Sequence, residues 1–164
     1  MKKFEFEFDK LPSLLARSEN DLEIRNFFGD SLSNIEREEY YGSLTFKPEG
    51  IDVVFNEAPW VMPSEQIIDP KELYLSAFHL HRDGHEGYRG YAGTLPNSVA
   101  LGDSEAELLH KMGLPRTSGG GTISRVTEDV IPRWLRYPFG KAFLHFQLDT
   151  KRRIEMVTLS ARDI

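Results

Sequence analysis

The chain has no cysteine among its 164 residues, which excludes disulfide staples and thiolate chemistry. It also has no apolar run approaching the ~18 residues that a membrane span needs. The start, Met1-Lys2-Lys3-Phe4-Glu5-Phe6-Glu7, lacks the apolar stretch of a signal peptide, because glutamates separate the phenylalanines. A cytoplasmic location without membrane contact is therefore expected. Positive charge is scarce as well: 20 Lys and Arg face 26 Asp and Glu, a net charge of −6. The whole deficit lies in residues 1–60, with 13 acidic and 7 basic side chains, and the remainder is balanced. Phosphate binding draws on clustered Lys and Arg, so nucleic acid is not an expected partner. A basic protein suits the acidic half better.

Catalytic signatures are missing too. No Gly-x-Ser-x-Gly elbow occurs, and no serine sits in a pattern that activates its hydroxyl. The run Gly119-Gly120-Gly121 is followed neither by Lys-Ser/Thr nor immediately by a helical pattern, so it reads as a flexible connector within 117–122 rather than a phosphate loop. The expectation is a protein that is not an enzyme and carries no cofactor.

What is present is a folded composition, 40% hydrophobic and 28% charged, with regular patterning. Phe4, Phe6 and Phe8 alternate with acids, the period of a short strand with one buried face. Ser18 is placed to cap a helix with Asp21 at its third position, Ile24, Phe27 and Phe28 as its apolar stripe and Gly29 as its stop. Residues 31–39 are polar and fit either a helical turn or a loop. Residues 40–47 and 51–55 form a hairpin around Pro48-Glu49-Gly50. Residues 57–70, with Pro59, Trp60, Pro63 and Pro70, make a long connection of the kind that often carries function. Residues 73–81 read as a strand. Strict alternation puts Tyr74, Ser76, Phe78 and Leu80 on one face, and Leu75, Ala77, His79 and His81 on the other. Asp83-Gly84 turns the chain, and 88–91 is placed as a returning strand. Ser104 and Glu107 form a capping box for a second helix with Leu108, Leu109 and Met112 buried and Gly113-x-Pro115 at its end. Strands follow at 134–137, 141–148 and 153–159.

The two helical patterns are each followed by a paired-strand echo: Leu44-x-Phe46 with Ile51-Asp52-x-Val54, and Leu144-x-Phe146 with Ile154-Glu155-x-Val157. The fold class expected is α+β, with two similar helix-then-antiparallel-sheet units in one sheet and short helices on one face. The units divide a single domain into residues 1–92 and 93–164.

Two groups of side chains stand out as candidate sites. His79-x-His81 places two imidazoles on one strand face with His85 beyond the turn, the arrangement that metal chelation by a hairpin requires. Glu86 or Asp83 could complete such a site, but no second ligand cluster is evident elsewhere, so no metal is assigned and the three histidines remain weak candidates. Large aromatics in or beside loops can anchor a partner. Trp60 is the foremost of them, with Tyr88 and Arg89 secondary. Trp134 and Tyr137 are placed in the sheet core.

Residues 95–160 carry a further pattern: Leu95-Pro96, Leu101-Gly102-Asp103-Ser104, Gly113-Leu114-Pro115, Trp134-Leu135-Arg136-Tyr137, Leu144-His145-Phe146-Gln147 and Ile154-Glu155-Met156-Val157-Thr158-Leu159. It resembles small bacterial cytoplasmic proteins of toxin-immunity type. It is also similar to the helix-loop-sheet repeat of the β-lactamase inhibitor protein and related outer-membrane assembly lipoproteins. The resemblance implies helices on one face of an antiparallel sheet, with the other face left for binding. The function it implies is a non-catalytic immunity protein that occludes a cognate toxin. The acidic half would steer toward a basic toxin domain, with Trp60, Glu36, Glu38, Glu39, Tyr88 and Arg89 as contacts. The alternatives are a small metal-binding protein or enzyme centred on His79, His81 and His85, and an oligomeric scaffolding protein whose open sheet face pairs with itself.

Overall fold

Apolar and polar side chains alternate from Leu44 to Phe55, and the alternation closes into the hairpin that starts the sheet. In a computed structural model that describes residues 6–61, 71–122, 126 and 129–163, strands β1 (Glu36–Arg37), β2 (Tyr41–Phe46) and β3 (Ile51–Glu57) pair in sequence. They are followed by β4 (Leu73–His81), β5 (Thr117–Gly119), β6 (Trp134–Phe139), β7 (Ala142–Leu148) and β8 (Ile154–Ser160). All pairings are antiparallel, in one eight-stranded sheet of order β1-β2-β3-β4-β8-β7-β6-β5. Each half of the chain thus supplies a helix and then four strands in a meander, and the halves meet where β4 pairs with β8. The echoing hairpins β2–β3 and β7–β8 lie one strand out of step: the first is second and third from its edge, the other third and fourth from the opposite edge. The outer strands are two and three residues long, which limits edge-to-edge pairing. Among the described residues no helix is long and apolar enough to cross a membrane.

The two helices are short, and their ends follow the local chemistry. In α1 (Leu22–Phe28) the capping residue is Asp21, whose carboxylate accepts from the Glu23 N–H at 2.8 Å. The expected cap, Ser18, instead pairs as a bridge residue with Tyr74, and its hydroxyl accepts from Asn20 N–H. Asp21 wins because it is next to the first helical residue, where a side-chain acceptor reaches the free N–H groups. In α2 (Glu105–Met112) the full capping box of Ser104 and Glu107 forms as the sequence indicates. Such caps are worth about 1 kcal/mol each.

Both helices lie on one face of the sheet. Ile24 and Phe28 of α1 and Leu108 of α2 are fully buried in the same apolar cluster as Val53, Phe78, Leu159, Leu144 and Tyr137. Those five sheet residues stand opposite one another on successive strands and form one cross-strand row. The fold class read from the sequence, α+β with one antiparallel sheet and helices on one side, is the fold of the protein.

One irregularity decides which residues face away from the helices. In β4 Ser76 is an extra residue, because Val54 pairs with Ala77 while Phe55 pairs with Leu75. A β-bulge of this kind reverses the alternation along the strand. Leu73 and Leu75 therefore share the core with Phe78 and Leu80, and Tyr74 moves to the opposite side with Ala58 and Val61. Strict alternation had assigned Tyr74 and Leu75 to the wrong faces.

Other local expectations are corrected by tertiary contacts. The described part of the amino-terminal aromatic run is no strand: Phe8–Lys10 makes a single helical turn. Phe6 and Phe8 are nevertheless buried, against Phe46 and Phe139 respectively. Phe4 lies outside the described residues, as does 62–70 of the long connection. Residues 31–39 contribute the end of a helical turn (Gly29–Asn34) and β1. The glycine-bearing 117–122 segment is not simply a connector, since Thr117–Gly119 pairs with β6. Residues 88–91 do not return beside β4, whose neighbours are β3 and β8. They cross the end of the β2–β3 hairpin instead, and Gly50 permits that crossing: a Cβ there would lie 2.3 Å from Arg89 O.

Candidate functional site

The face turned away from the helices is polar. The register lines up Thr45, Asp52, His79, Thr158, His145, Arg136 and Thr117 across seven strands, one side chain from each. His79 Nδ1 lies 2.8 Å from Thr158 Oγ1, where the two halves join. Burial pushes His79 below its ordinary pKa, with Asp52 pulling the other way. His145 stacks on Trp134 at 5.5 Å and its Nδ1 faces the Arg136 guanidinium, which itself lies 4.8 Å over the Trp134 ring. Trp134 is therefore half-buried on this face and does not belong to the core, whereas Tyr137 does.

Burial, then the Arg136 charge and His79, push His145 down to about 4. An unfolded histidine titrates near 6.5, so between about pH 6.5 and 4 the unfolded chain binds a proton that the folded chain refuses. Stability present above about pH 6.5 is lost on acidification through that window. Solvent screening of the partly exposed ring reduces the effect to roughly 1–2 kcal/mol. Urea denaturation at pH 7 and pH 5 is expected to show this loss in the wild type and less of it in His145→Gln. An unchanged difference in the variant would exclude His145 as the source.

A second histidine group closes the end of β4. His81, 1% exposed, directs Nε2 at Asp52 Oδ1, 2.9 Å away. Its Nδ1 lies 2.9 Å from Nδ1 of His85. His85 Nε2 in turn faces Glu155 Oε2 at 3.7 Å, and Glu155 accepts from Gln147 Nε2. Tyr88 stacks flat on His81, with ring centroids 3.8 Å apart. His81, His85 and Glu86 bring one possible ligand atom each within 4.8 Å of one another. The strand spacing did place His79 and His81 on one face, but His79 is bonded to Thr158 and stands outside this group.

The aromatic and acidic candidates meet at the other end of the same strands. Trp60, 64% exposed, and Tyr40, 57% exposed, line a concavity of ≈ 490 Å³ with Asn56 and Glu57. Glu38 and Glu39 lie in the turn from β1 to β2, where Glu38 N–H donates to Tyr41 O. A hydrogen bond with Glu39 raises the Tyr40 pKa, as do slight burial and the Glu57 charge. Glu36 stands on edge strand β1 opposite Ser43. Among the described residues two cations adjoin this rim: Arg37 is paired with Glu19, and Arg162 donates to Pro59 O beside Trp60. Trp60 and the three glutamates are thus gathered at one end of the sheet. Tyr88 and Arg89 are elsewhere, and only 8% of Tyr88 is exposed, because it covers His81. Arg89 is exposed and its N–H donates to Lys47 O.

Sequence reasoning missed Asp52, Thr158, His145 and Glu155. The signal available for Asp52 was its place between the core residues Ile51 and Val53, which turns it to the open face. Nothing local links it to His81, 29 positions away.

No family model matches the chain. Among solved structures it is similar to an extracellular protein containing a SCP domain from Bacillus anthracis, with TM-score 0.51 and 13% identity over 98% of this chain and 48% of that one. The chain thus spans about half the length of that protein. It is also similar to a DUF4309 family protein from Bacillus subtilis, with TM-score 0.44 and 14% identity over 85% of this chain and 76% of that one. At these identities the likeness to the Bacillus anthracis protein extends to the fold alone.

Proposed function

We propose that the chain is a non-catalytic binding protein that holds a basic protein partner at the β1–β3 end of its sheet, in the manner of an immunity protein occluding a toxin. The observation that carries this reading is the concavity lined by exposed Trp60 and Tyr40 with Glu57, beside the β1–β2 segment that carries Glu36, Glu38 and Glu39. Exposed aromatics provide large contact area at small entropic cost, and the surrounding carboxylates steer a cationic partner. The net charge of the first 60 residues, −6, adds to that field.

The experiment is affinity capture from the native host cell, with wild-type protein and Trp60→Ala run in parallel and the recovered proteins identified by mass. A basic protein is expected with the wild type, and a buried aromatic anchor worth about 2 kcal/mol makes the variant bind about 30-fold more weakly. Association with the purified partner should slow as salt rises from about 0.01 to 1 M, because the screening length falls from about 30 to 3 Å. A partner held equally by both proteins, or a salt-independent association rate, would overturn the reading.

A further inference from the structure

Two imidazole nitrogens 2.9 Å apart present a simple accounting of protons. One must donate and the other must accept, so the His81–His85 contact holds a single proton. With Asp52 Oδ1 as the acceptor, His81 Nε2 is the donor, and the neutral ring then has its Nδ1 bare. The proton between the rings then belongs to His85 Nδ1. That leaves His85 Nε2 facing Glu155 Oε2 at 3.7 Å. The group thus turns its two Nδ1 atoms toward one another and both distal nitrogens toward carboxylates.

We propose that His81, His85 and Glu86 bind a divalent first-row transition cation, Zn²⁺ in the first instance, through the two Nδ1 atoms and the Glu86 carboxylate. Coordination leaves the His81 Nε2–H toward Asp52 in place and moves the His85 proton from Nδ1 to Nε2, where it meets Glu155, so two neutral imidazoles bind the cation without a net loss of protons. The metal-binding histidine whose other nitrogen donates to a carboxylate is the recurrent outer shell of protein metal sites, because it fixes the ring and raises its basicity. Asp52 does this for His81, and Glu155 is placed to do it for His85. Imidazole donors select zinc, copper or nickel over Ca²⁺ and Mg²⁺, which prefer all-oxygen surroundings.

Two nitrogens at ordinary zinc distances in a tetrahedral centre are about 3.3 Å apart, so the Nδ1 atoms must separate by a few tenths of an ångström. The ring centroids are 5.1 Å apart with the two Nδ1 atoms pointing at one another, so one ring must also swing until both lone pairs meet at a shared centre. His81 is immobilised by β4 and by the Tyr88 ring stacked on it. His85 and Glu86 belong to the one-turn segment His85–Gly87 and supply the movement. Glu86 holds a left-handed backbone (φ 52°), unusual for a residue with a side chain. His79 takes no part, which separates this site from a chelate made by the strand alternation His79-x-His81. The proposal is independent of the protein-binding reading, since Trp60 lies at the opposite end of these strands.

The test is titration of untagged, chelator-treated protein with ZnCl2, followed by calorimetry, and with CoCl2, followed by visible absorption. One equivalent is expected to bind, with the intense visible bands of a low-coordinate cobalt site, and neither CaCl2 nor MgCl2 should compete. His85→Ala should abolish saturable binding and the bands. Asp52→Asn should weaken binding about 10–100-fold through the outer shell. His79→Gln should leave both unchanged, and so should His110→Ala on the exposed surface of α2. Circular dichroism identifies any variant that fails to fold, and Glu155→Gln then replaces Asp52→Asn. No stoichiometric binding, or binding that His85→Ala leaves intact, would overturn the site. A loss with His79→Gln equal to that with His85→Ala would also overturn it.

Discussion

Phe78→Ala is expected to lower the free energy of unfolding by about 3–5 kcal/mol, the range for truncating a fully buried phenylalanine. Phe78 lies in the central strand β4, is 0% exposed, and stands between Val53 and Leu159 in the row that faces the helices. Truncation removes the transfer energy of the ring and leaves a cavity that the flanking strands cannot collapse into. Phe143 is the internal control. It occupies β7, stands opposite Ser160 and points to the open face, where it is half-buried. Phe143→Ala should cost clearly less, because less area is withdrawn from water and truncation on the open face leaves no closed cavity. Urea denaturation at pH 7 measures both, and equal losses would contradict a core confined to one face.

Gly50→Ala should destabilise by about 2–5 kcal/mol, combining a left-handed backbone cost of about 1–2 with an overpacking cost of about 1–3. The residue has φ 73°, and its added Cβ would meet Arg89 O at 2.3 Å and Tyr91 N at 2.5 Å. These are backbone atoms, which cannot rotate away. Gly84→Ala separates the two effects, because Gly84 also has positive φ (87°) but nothing lies within 4 Å of a Cβ there. The Gly84 variant should show the conformational part alone. Hydrogen exchange gives a local readout: the Tyr91 N–H, bonded to His81 O, and the Arg89 N–H, bonded to Lys47 O, should lose protection in Gly50→Ala and keep it in Gly84→Ala. Similar losses of stability in the two variants would mean that the 88–91 crossing is not held at Gly50.

Local chemistry carried some elements in full. The capping box of Ser104 and Glu107, the Pro48-Glu49-Gly50 turn and the 73–81 strand each depend on residues within a few positions of one another, and each forms where the sequence places it. The first helix shows the limit of that kind of reading. Its stripe and stop are correct, yet its cap moves from Ser18 to Asp21 because Ser18 is drawn into pairing with Tyr74, 56 positions later. The bulge at Ser76 is a second case, since alternation within β4 cannot register an extra residue that only the pairing with β3 defines.

The candidate sites divide in the same way. Trp60 and the acidic cluster could be picked out by composition, because exposed aromatics and unbalanced charge are properties of single residues. Their meeting at one end of the sheet follows from the β1–β2 turn and the end of β3 lying side by side. For the histidines, the sequence indicated the residue type and the His79–His81 face. It could not show that His81 turns to His85 while His79 turns to Thr158 in the other half.

By itself, then, the sequence determined the fold class, the positions of helices and most strands, the absence of thiol chemistry and the acidic first half, all of which rest on periodicity, capping and composition. Only the tertiary structure decided which side chains become neighbours. The β4–β8 pairing sets the polar row of the open face, and the 88–91 crossing seals Tyr88 over His81. The physical reason is that the register and the crossing are fixed by the packing of the whole sheet, whose contacts join residues 30 to 80 positions apart.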